Sequence, residues 1–237
     1  MADRTYLLVH GAWHGGWCWA RVASQLRAAG HRVFTPTHTG VGERAHLLTA
    51  GISMDTFVQD LVNVIEFEEL HDCIVVGHSY GGRSVAGLAD CMPERIRRLV
   101  FLDAGLPEPG KSYLDALPPE RRAVRLRQAA ESPGGLSIAP PHDMDFGVLD
   151  PADAAWVRSH LTPQPLGAYA TPVRLDHPIG NGLPCTYIRC TEPAFPTTDP
   201  SARYAKSRAD WDYLEIRTGH DAMVTAPREL SEILLRL

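Results

Sequence analysis

The sequence lacks strong charge, long apolar runs and any ordered cysteine pattern. A formal net charge of −5 and a pI near 6.1 supply no basic surface for nucleic acid or an anionic membrane. No apolar run approaches the roughly 18 residues of a membrane span. The five cysteines (Cys18, Cys73, Cys91, Cys185 and Cys190) form no CxxC pair, and their number is odd. Reduced, buried thiols in a cytoplasmic protein are therefore expected, not a disulfide framework. The opening MADRTYLLVH runs almost at once into a strand-like stretch, so no secretory leader is expected. There is no internal repeat.

What is present is an alternation. Tyr6 to Val9 reads as a buried strand and 17–29 as a helix. HRVFTP (31–36) reads as the next strand. Met54, Phe57, Val58, Leu61, Val62 and Ile65 recur at helical spacing behind Ser53, a suitable N-cap. Strand 73–77, helix 80–91 and strand 97–102 follow. This order predicts an α/β domain built on a parallel sheet with helices on both faces. The pattern then breaks, for sixteen of the nineteen prolines fall between Pro107 and Pro200. Proline at that density interrupts regular elements. Scattered apolar residues such as Trp156, Leu161 and Tyr169 argue for order, so 104–180 is expected to be a cap inserted after a core strand. The alternation resumes with strand 185–190, a helix near 200–209, strand 213–217 and a last helix from Pro227.

GHSYGG (77–82) sits between strand 73–77 and a helix. In that context G-x-S-x-G acts as a nucleophile elbow: a strained turn lifts the Ser79 hydroxyl clear of the strand ends. Gly77 and Gly81 let neighbouring backbone approach, and the helix that follows directs its unpaired N–H groups at the reacting centre. A serine hydroxyl needs a base. His220, on the loop TGHDAMV after strand 213–217, is the best placed of eleven histidines, because nucleophile then histidine is the chain order of such sites. Taken without Ser79, His220 would be an ordinary loop histidine.

The segment LLVHGAWHGGWCW (7–19) ends a strand in a loop free of bulky branched residues. Such a loop can aim N–H groups at a developing oxyanion. The N–H groups of Ala12 and Tyr80 are the expected pair. His10 braces the loop. His10 and His14 have no acidic companion on that loop, so no metal site is read there. Trp13, His14 and Trp156 are candidate pocket residues, with Phe146, Tyr169 and Phe195 as further aromatics. In GERAH (42–46), a solvated loop held by a local ion pair is preferred over a role at the cleft mouth.

Together, VHGAWHGGWCW, TPTHTGVGERAHL (35–48), GHSYGG and GHDAMV resemble the α/β-hydrolase superfamily. Within it they are similar to the plant methyl esterases and hydroxynitrile lyases and to small bacterial esterases, including carbendazim-hydrolysing ones. The resemblance spans nearly the whole chain and is weakest in the cap. It implies a mostly parallel sheet flanked by helices, a helical cap, no cofactor, and cleavage of small esters or related acyl compounds through an acyl-enzyme.

Two departures from that group matter. Lyases carry a hydroxyl residue where this chain has Gly11, and a lysine where it has Asp221. An acid at 221 is expected to oppose cyanide by like-charge repulsion, so lyase activity is disfavoured. In the plant members the triad acid follows the strand corresponding to 185–190, where this chain reads Thr191-Glu192-Pro193. Glu192 could substitute there. Asp103, ending strand 97–102, is the other candidate and is preferred, because the usual slot is disturbed and Asp103 terminates a strongly apolar strand.

The expected protein is a serine hydrolase of small, aromatic esters or carbamates, monomeric or homodimeric, with a small-molecule partner. A non-hydrolytic lyase and a binding protein on the same scaffold are the rival readings. A halide-cleaving enzyme is opposed by Ser79, since that chemistry needs a carboxylate nucleophile.

Overall fold

A computed structural model describes residues 3–142 and 145–237; Met1 and Ala2, the first residues of the opening read for a leader, lie outside it. Six strands form the main sheet: β1 (Thr5–Val9), β2 (Arg32–Phe34), β3 (Cys73–His78), β4 (Ile96–Leu102), β5 (Cys185–Cys190) and β6 (Trp211–Ile216). Their order is β2-β1-β3-β4-β5-β6, and every neighbouring pair is parallel.

Successive side chains on a strand face opposite ways, and both faces here are covered. Tyr6 and Leu8 of β1 enter one apolar cluster, and Leu7 and Val9 enter the other. β3 divides likewise, with Ile74 and Val76 opposed to Cys73 and Val75. This is why the strands read as continuous apolar runs. Helices α1 (Ala20–Ala28), α2 (Met54–Phe67) and α3 (Gly81–Cys91) lie in the first half of the chain. Ser53 caps α2 through a box with Thr56. In the first half, α1 supplies Val22, Ala23 and Leu26 to the first cluster, while α3 supplies Val85, Leu88 and Ala89 to the second.

Between β4 and β5 the chain builds α4 (Pro119–Ala130), α5 (Pro151–His160) and a small antiparallel pairing of Ser137–Ile138 with Gln164–Pro165. Two further helices, α6 (Asp199–Ser207) and α7 (Pro227–Arg236), complete the layers.

Two expectations need correction. The helix read over 17–29 begins as a tight 3₁₀ turn at Gly16–Trp19, and α1 starts only at Ala20. Gly16, which opens that turn, packs so closely on the Thr35 carbonyl that a side chain there would strike it. The five cysteines are all free, but Cys91, at the end of α3, is exposed rather than buried.

The sheet order reverses between β1 and β3, and such a switch point opens a crevice at the C-terminal strand ends. The loops leaving β1, β3, β4 and β6 all meet there. One close contact fixes this junction. A Cβ on Gly81 would lie 2.5 Å from the His10 carbonyl oxygen. Gly81→Ala should therefore destabilise the protein by about 1–3 kcal/mol in urea unfolding, although alanine is the better helix former by up to about 1 kcal/mol.

Candidate active site

Ser79 follows β3 in a left-handed conformation, with φ of 52°. Asp103 after β4 (φ 40°) and Trp13 after β1 (φ 64°) share that region. Such strain costs roughly 1–3 kcal/mol per residue and persists only where surroundings dictate it. At Ser79 they do. Its N–H donates to the Leu102 carbonyl at 3.1 Å, and its own carbonyl accepts from Gly82 and Gly105 at 3.2 and 2.9 Å. Close packing leaves no room for side chains at Gly77, against Val85, or at Gly81.

His220 stands beside the serine. Its Nε2 lies 2.8 Å from Ser79 Oγ, and its Nδ1 lies 2.6 Å from Asp103 Oδ2. A carboxylate can only accept, so Nδ1 carries the proton and Nε2 presents its lone pair to the hydroxyl. The Phe195 ring stacks on the imidazole at 4.0 Å between centroids. This shields the base from solvent.

Asp103 is wholly buried, so its second oxygen needs partners of its own. Arg189 Nη1 donates to Oδ1 at 2.8 Å, and Thr198 Oγ1 donates at 3.1 Å. Arg189 is itself shared with Thr198 and Asp199. Glu192, the alternative acid, does not reach His220. It is 58% exposed and pairs with Arg217 at 2.9 Å. The strand that precedes Glu192 contributes Arg189 to Asp103 instead. Sequence reasoning missed Arg189, although an arginine inside the fully buried run CTYIRC was the signal.

A second buried acid sits behind the histidine. Asp221 Oδ2 lies 3.0 Å from His14 Nε2, and His14 Nδ1 lies 2.7 Å from the Ala12 carbonyl. Burial alone would lower the His14 pKa, but Asp221 outweighs it, and the value is raised above 6.5. Burial would raise the Asp221 pKa, yet His14 brings it below 3.8. The two form an ion pair. His78 donates from Nε2 to the His220 carbonyl at 3.0 Å. Burial, then the neighbouring His220, push its pKa down to about 3, so it stays neutral. His78, His220 and Asp221 offer ligand atoms within 4.8 Å of one another. A cation there would have to take His220 from Ser79 or Asp103, or Asp221 from His14.

These contacts revise two readings. His14 does line the cavity, but both ring nitrogens are committed to Asp221 and Ala12. Asp221 is not on the cavity wall; its carboxylate is paired with His14, and through that pair it holds the Ala12 loop. His10 braces that loop as expected, accepting from the His38 N–H at 3.1 Å. In 42–46, Arg44 donates to the Thr37 carbonyl and the Thr39 hydroxyl, away from the cavity.

Ser79 opens into a cavity of about 510 Å³. Ala12 and Tyr80 lie on its wall beside the serine. Neither N–H is taken by a carbonyl of the described turns and loops. Trp13, Phe146, Tyr169 and Phe195 also line it. From α4, residues 121, 124, 125 and 128 cover it at the i, i+3, i+4, i+7 spacing of one helix face. Trp156 is a correction: it packs outside the cavity against Trp17 and His160, with ring centroids 5.1 and 5.2 Å away. Trp13 ties core to insertion. Its N–H donates to Gln164 Oε1 at 3.0 Å, its indole to the Ile138 carbonyl at 3.0 Å, and its carbonyl accepts from Thr162 at 2.9 Å.

Comparison with known proteins agrees with this fold. A model of the alpha/beta hydrolase family matches residues 6–233. The chain is 41% identical over 250 residues to the carbendazim hydrolyzing esterase of Nocardioides sp. (strain SG-4G), covering 98% of each. It is 36% identical over 104 residues to an alpha-hydroxynitrile lyase of Arabidopsis thaliana, covering 44% of this chain and 40% of that protein. Among solved structures, an extracellular alpha/beta-hydrolase from a Paenibacillus species superposes with a TM-score of 0.80 at 25% identity, covering 99% of this chain and 98% of that one.

The His14–Asp221 pair gives stability a pH dependence. The raised His14 pKa stabilises the fold fully below about pH 6.5, and the effect is lost as pH rises through the folded value. The depressed Asp221 pKa stabilises it above about pH 3.8, and the effect is lost as pH falls through the folded value. The pair contributes most between those limits. Asp221→Asn should lower unfolding stability by about 3–5 kcal/mol near pH 6. The gap to the native protein should narrow as the pH is raised through the folded pKa of His14, as followed by urea titration at each pH.

Proposed function

The chain belongs to the alpha/beta hydrolase family, and from that premise we propose that it is a serine esterase acting on small, aryl-bearing esters or carbamates. One observation carries the reading: Ser79, His220 and Asp103 stand in hydrogen-bonded sequence, with Ser79 and His220 on the wall of the cavity and Asp103 buried behind them. In this reading Ser79 Oγ attacks the substrate carbonyl, and His220 Nε2 takes its proton. Asp103 holds the Nδ1–H tautomer and stabilises the imidazolium that forms. The N–H groups of Ala12 and Tyr80 receive the oxyanion, each worth about 3 kcal/mol in the transition state. His220 then returns the proton to the departing alcohol or amine. Water attacks the acyl-enzyme by the reverse route, with no cofactor involved.

The aromatic lining supports an aryl group in the substrate, and the relative from Nocardioides, named for hydrolysing carbendazim, supports including carbamates. Residues 104–180 serve as the cap that selects among them, and the partner is a small molecule rather than nucleic acid or membrane. No helix among the described residues is long and apolar enough to cross a membrane.

The lyase alternative is not favoured. A side chain at Gly11 would come within 2.8 Å of Ser79 Cβ, so the hydroxyl residue of the lyases has no room without displacing the elbow. Position 221 carries an acid committed to His14 in place of a lysine.

Ser79→Ala should abolish 4-nitrophenyl acetate hydrolysis with the circular dichroism spectrum intact. Asp103→Asn should lower kcat by about 10⁴, while Glu192→Gln should stay within about twofold of native, as expected for an exposed ion pair. Undiminished turnover by the Ser79 variant would defeat the reading.

A further inference from the structure

Arg83 is charged, lies at the cavity, and has no acid of its own. It falls in the first turn of α3, four residues after Ser79 in the chain, and both residues line the cavity. It is only 4% exposed, yet it lines the cavity. Its Nε is buried without a hydrogen-bond partner, and among the described residues no carboxylate pairs with its guanidinium. What surrounds it is aromatic: its Cζ lies 5.5 Å from the Tyr113 ring centroid. Tyr80, Tyr113 and Tyr169 pack on one another around that position, with centroids 4.5 to 5.5 Å apart.

Buried guanidinium groups normally bring a carboxylate with them. Arg189, in the same molecule, has Asp103 and Asp199. The acid near Arg83 is Glu108, which is exposed and already bound by Lys111 at 2.8 Å. Burial pushes the Arg83 pKa down, and the Tyr80, Tyr113 and Glu108 groups only partly offset this. The rest of the cavity does not cancel the charge. Arg121 and Arg125 of α4 face it as well, opposed by Glu108 and Glu120. Arg125 spends its Nη1 on Gln128 and lies over the Trp13 ring. Arg121 is exposed and Arg125 half-buried, so Arg83 is the buried cation of this lining, and no carboxylate among the described residues pairs with it.

We propose that Arg83 is the anchor for a carboxylate carried by the substrate, so that the preferred esters are half-esters of short dicarboxylic acids. This rests on the serine esterase reading and narrows it. A planar guanidinium accepts a carboxylate through paired N–H donors. The aromatic walls then hold the intervening methylenes, and the scissile carbonyl falls at Ser79. Tyr113 and Tyr169, whose phenols are held protonated by burial, add donors to the same anion.

The test compares the mono-4-nitrophenyl esters of glutaric and adipic acid with 4-nitrophenyl pentanoate and hexanoate, which replace the carboxylate by a methyl group. After subtraction of the uncatalysed rate, the native enzyme should favour the acidic ester of a pair by tenfold or more in kcat/KM. That ratio should fall at least tenfold in Arg83→Met, chiefly through KM, and be partly restored in Arg83→Lys. Adipate binding, measured by calorimetry, should weaken at least tenfold in Arg83→Met. A native enzyme that prefers the neutral esters, or a ratio and an adipate affinity indifferent to Arg83→Met, would overturn the proposal. The native comparison needs no variant to fold. Failure of the esterase reading would look different: no ester would turn over, while adipate binding would still depend on Arg83.

Discussion

Everything at this site depends on a carboxylate held in the dry interior at the end of β4. A buried anion without partners would take up a proton or distort the fold. At Asp103, Arg189 and Thr198 satisfy one oxygen and His220 satisfies the other. The imidazole is thereby fixed in ring orientation and in tautomer. Only then does its free nitrogen meet the serine hydroxyl. The strain at Ser79 and at Asp103 is tolerable because both turns are over-determined by backbone bonds from neighbouring strands.

A second acid lies close by, and the charges are kept apart by assignment. Asp103 belongs to Arg189 and Asp221 belongs to His14. Between them sits His78, neutral and bonded to the His220 backbone. The loop bearing the Ala12 N–H is thus pinned from below by an ion pair, while the loop bearing His220 is pinned by a hydrogen bond. Neither depends on the substrate being present, which is the condition for electrostatic preorganisation.

The parallel sheet was legible because its strands are buried on both faces and so read as unbroken apolar runs. The serine turn was legible because glycines on each side of one serine, after such a run, have few other uses. Ser53 was legible as a cap because its role is local in sequence. The fates of Trp156 and Glu192 were not. Each depends on which way a chain segment leaves its strand or helix, and that is settled by contacts remote in sequence: Trp17 and His160 for one, Arg217 for the other. Arg83, Arg189 and the His14–Asp221 pair were passed over although each is an ionisable group in an apolar setting. The pattern was visible, but the partner, or its absence, exists only in three dimensions.

Trp13 bonds three ways to the segment between β4 and β5, and the next residue before it is Ala12. Any segment put in its place would have to supply the same two acceptors and one donor to that indole and its backbone, or the neighbouring amide would drift. In the proposed esterase, the segment that would choose the substrate is thereby tied through one tryptophan to the amide that would meet the oxyanion, so neither is an independent module.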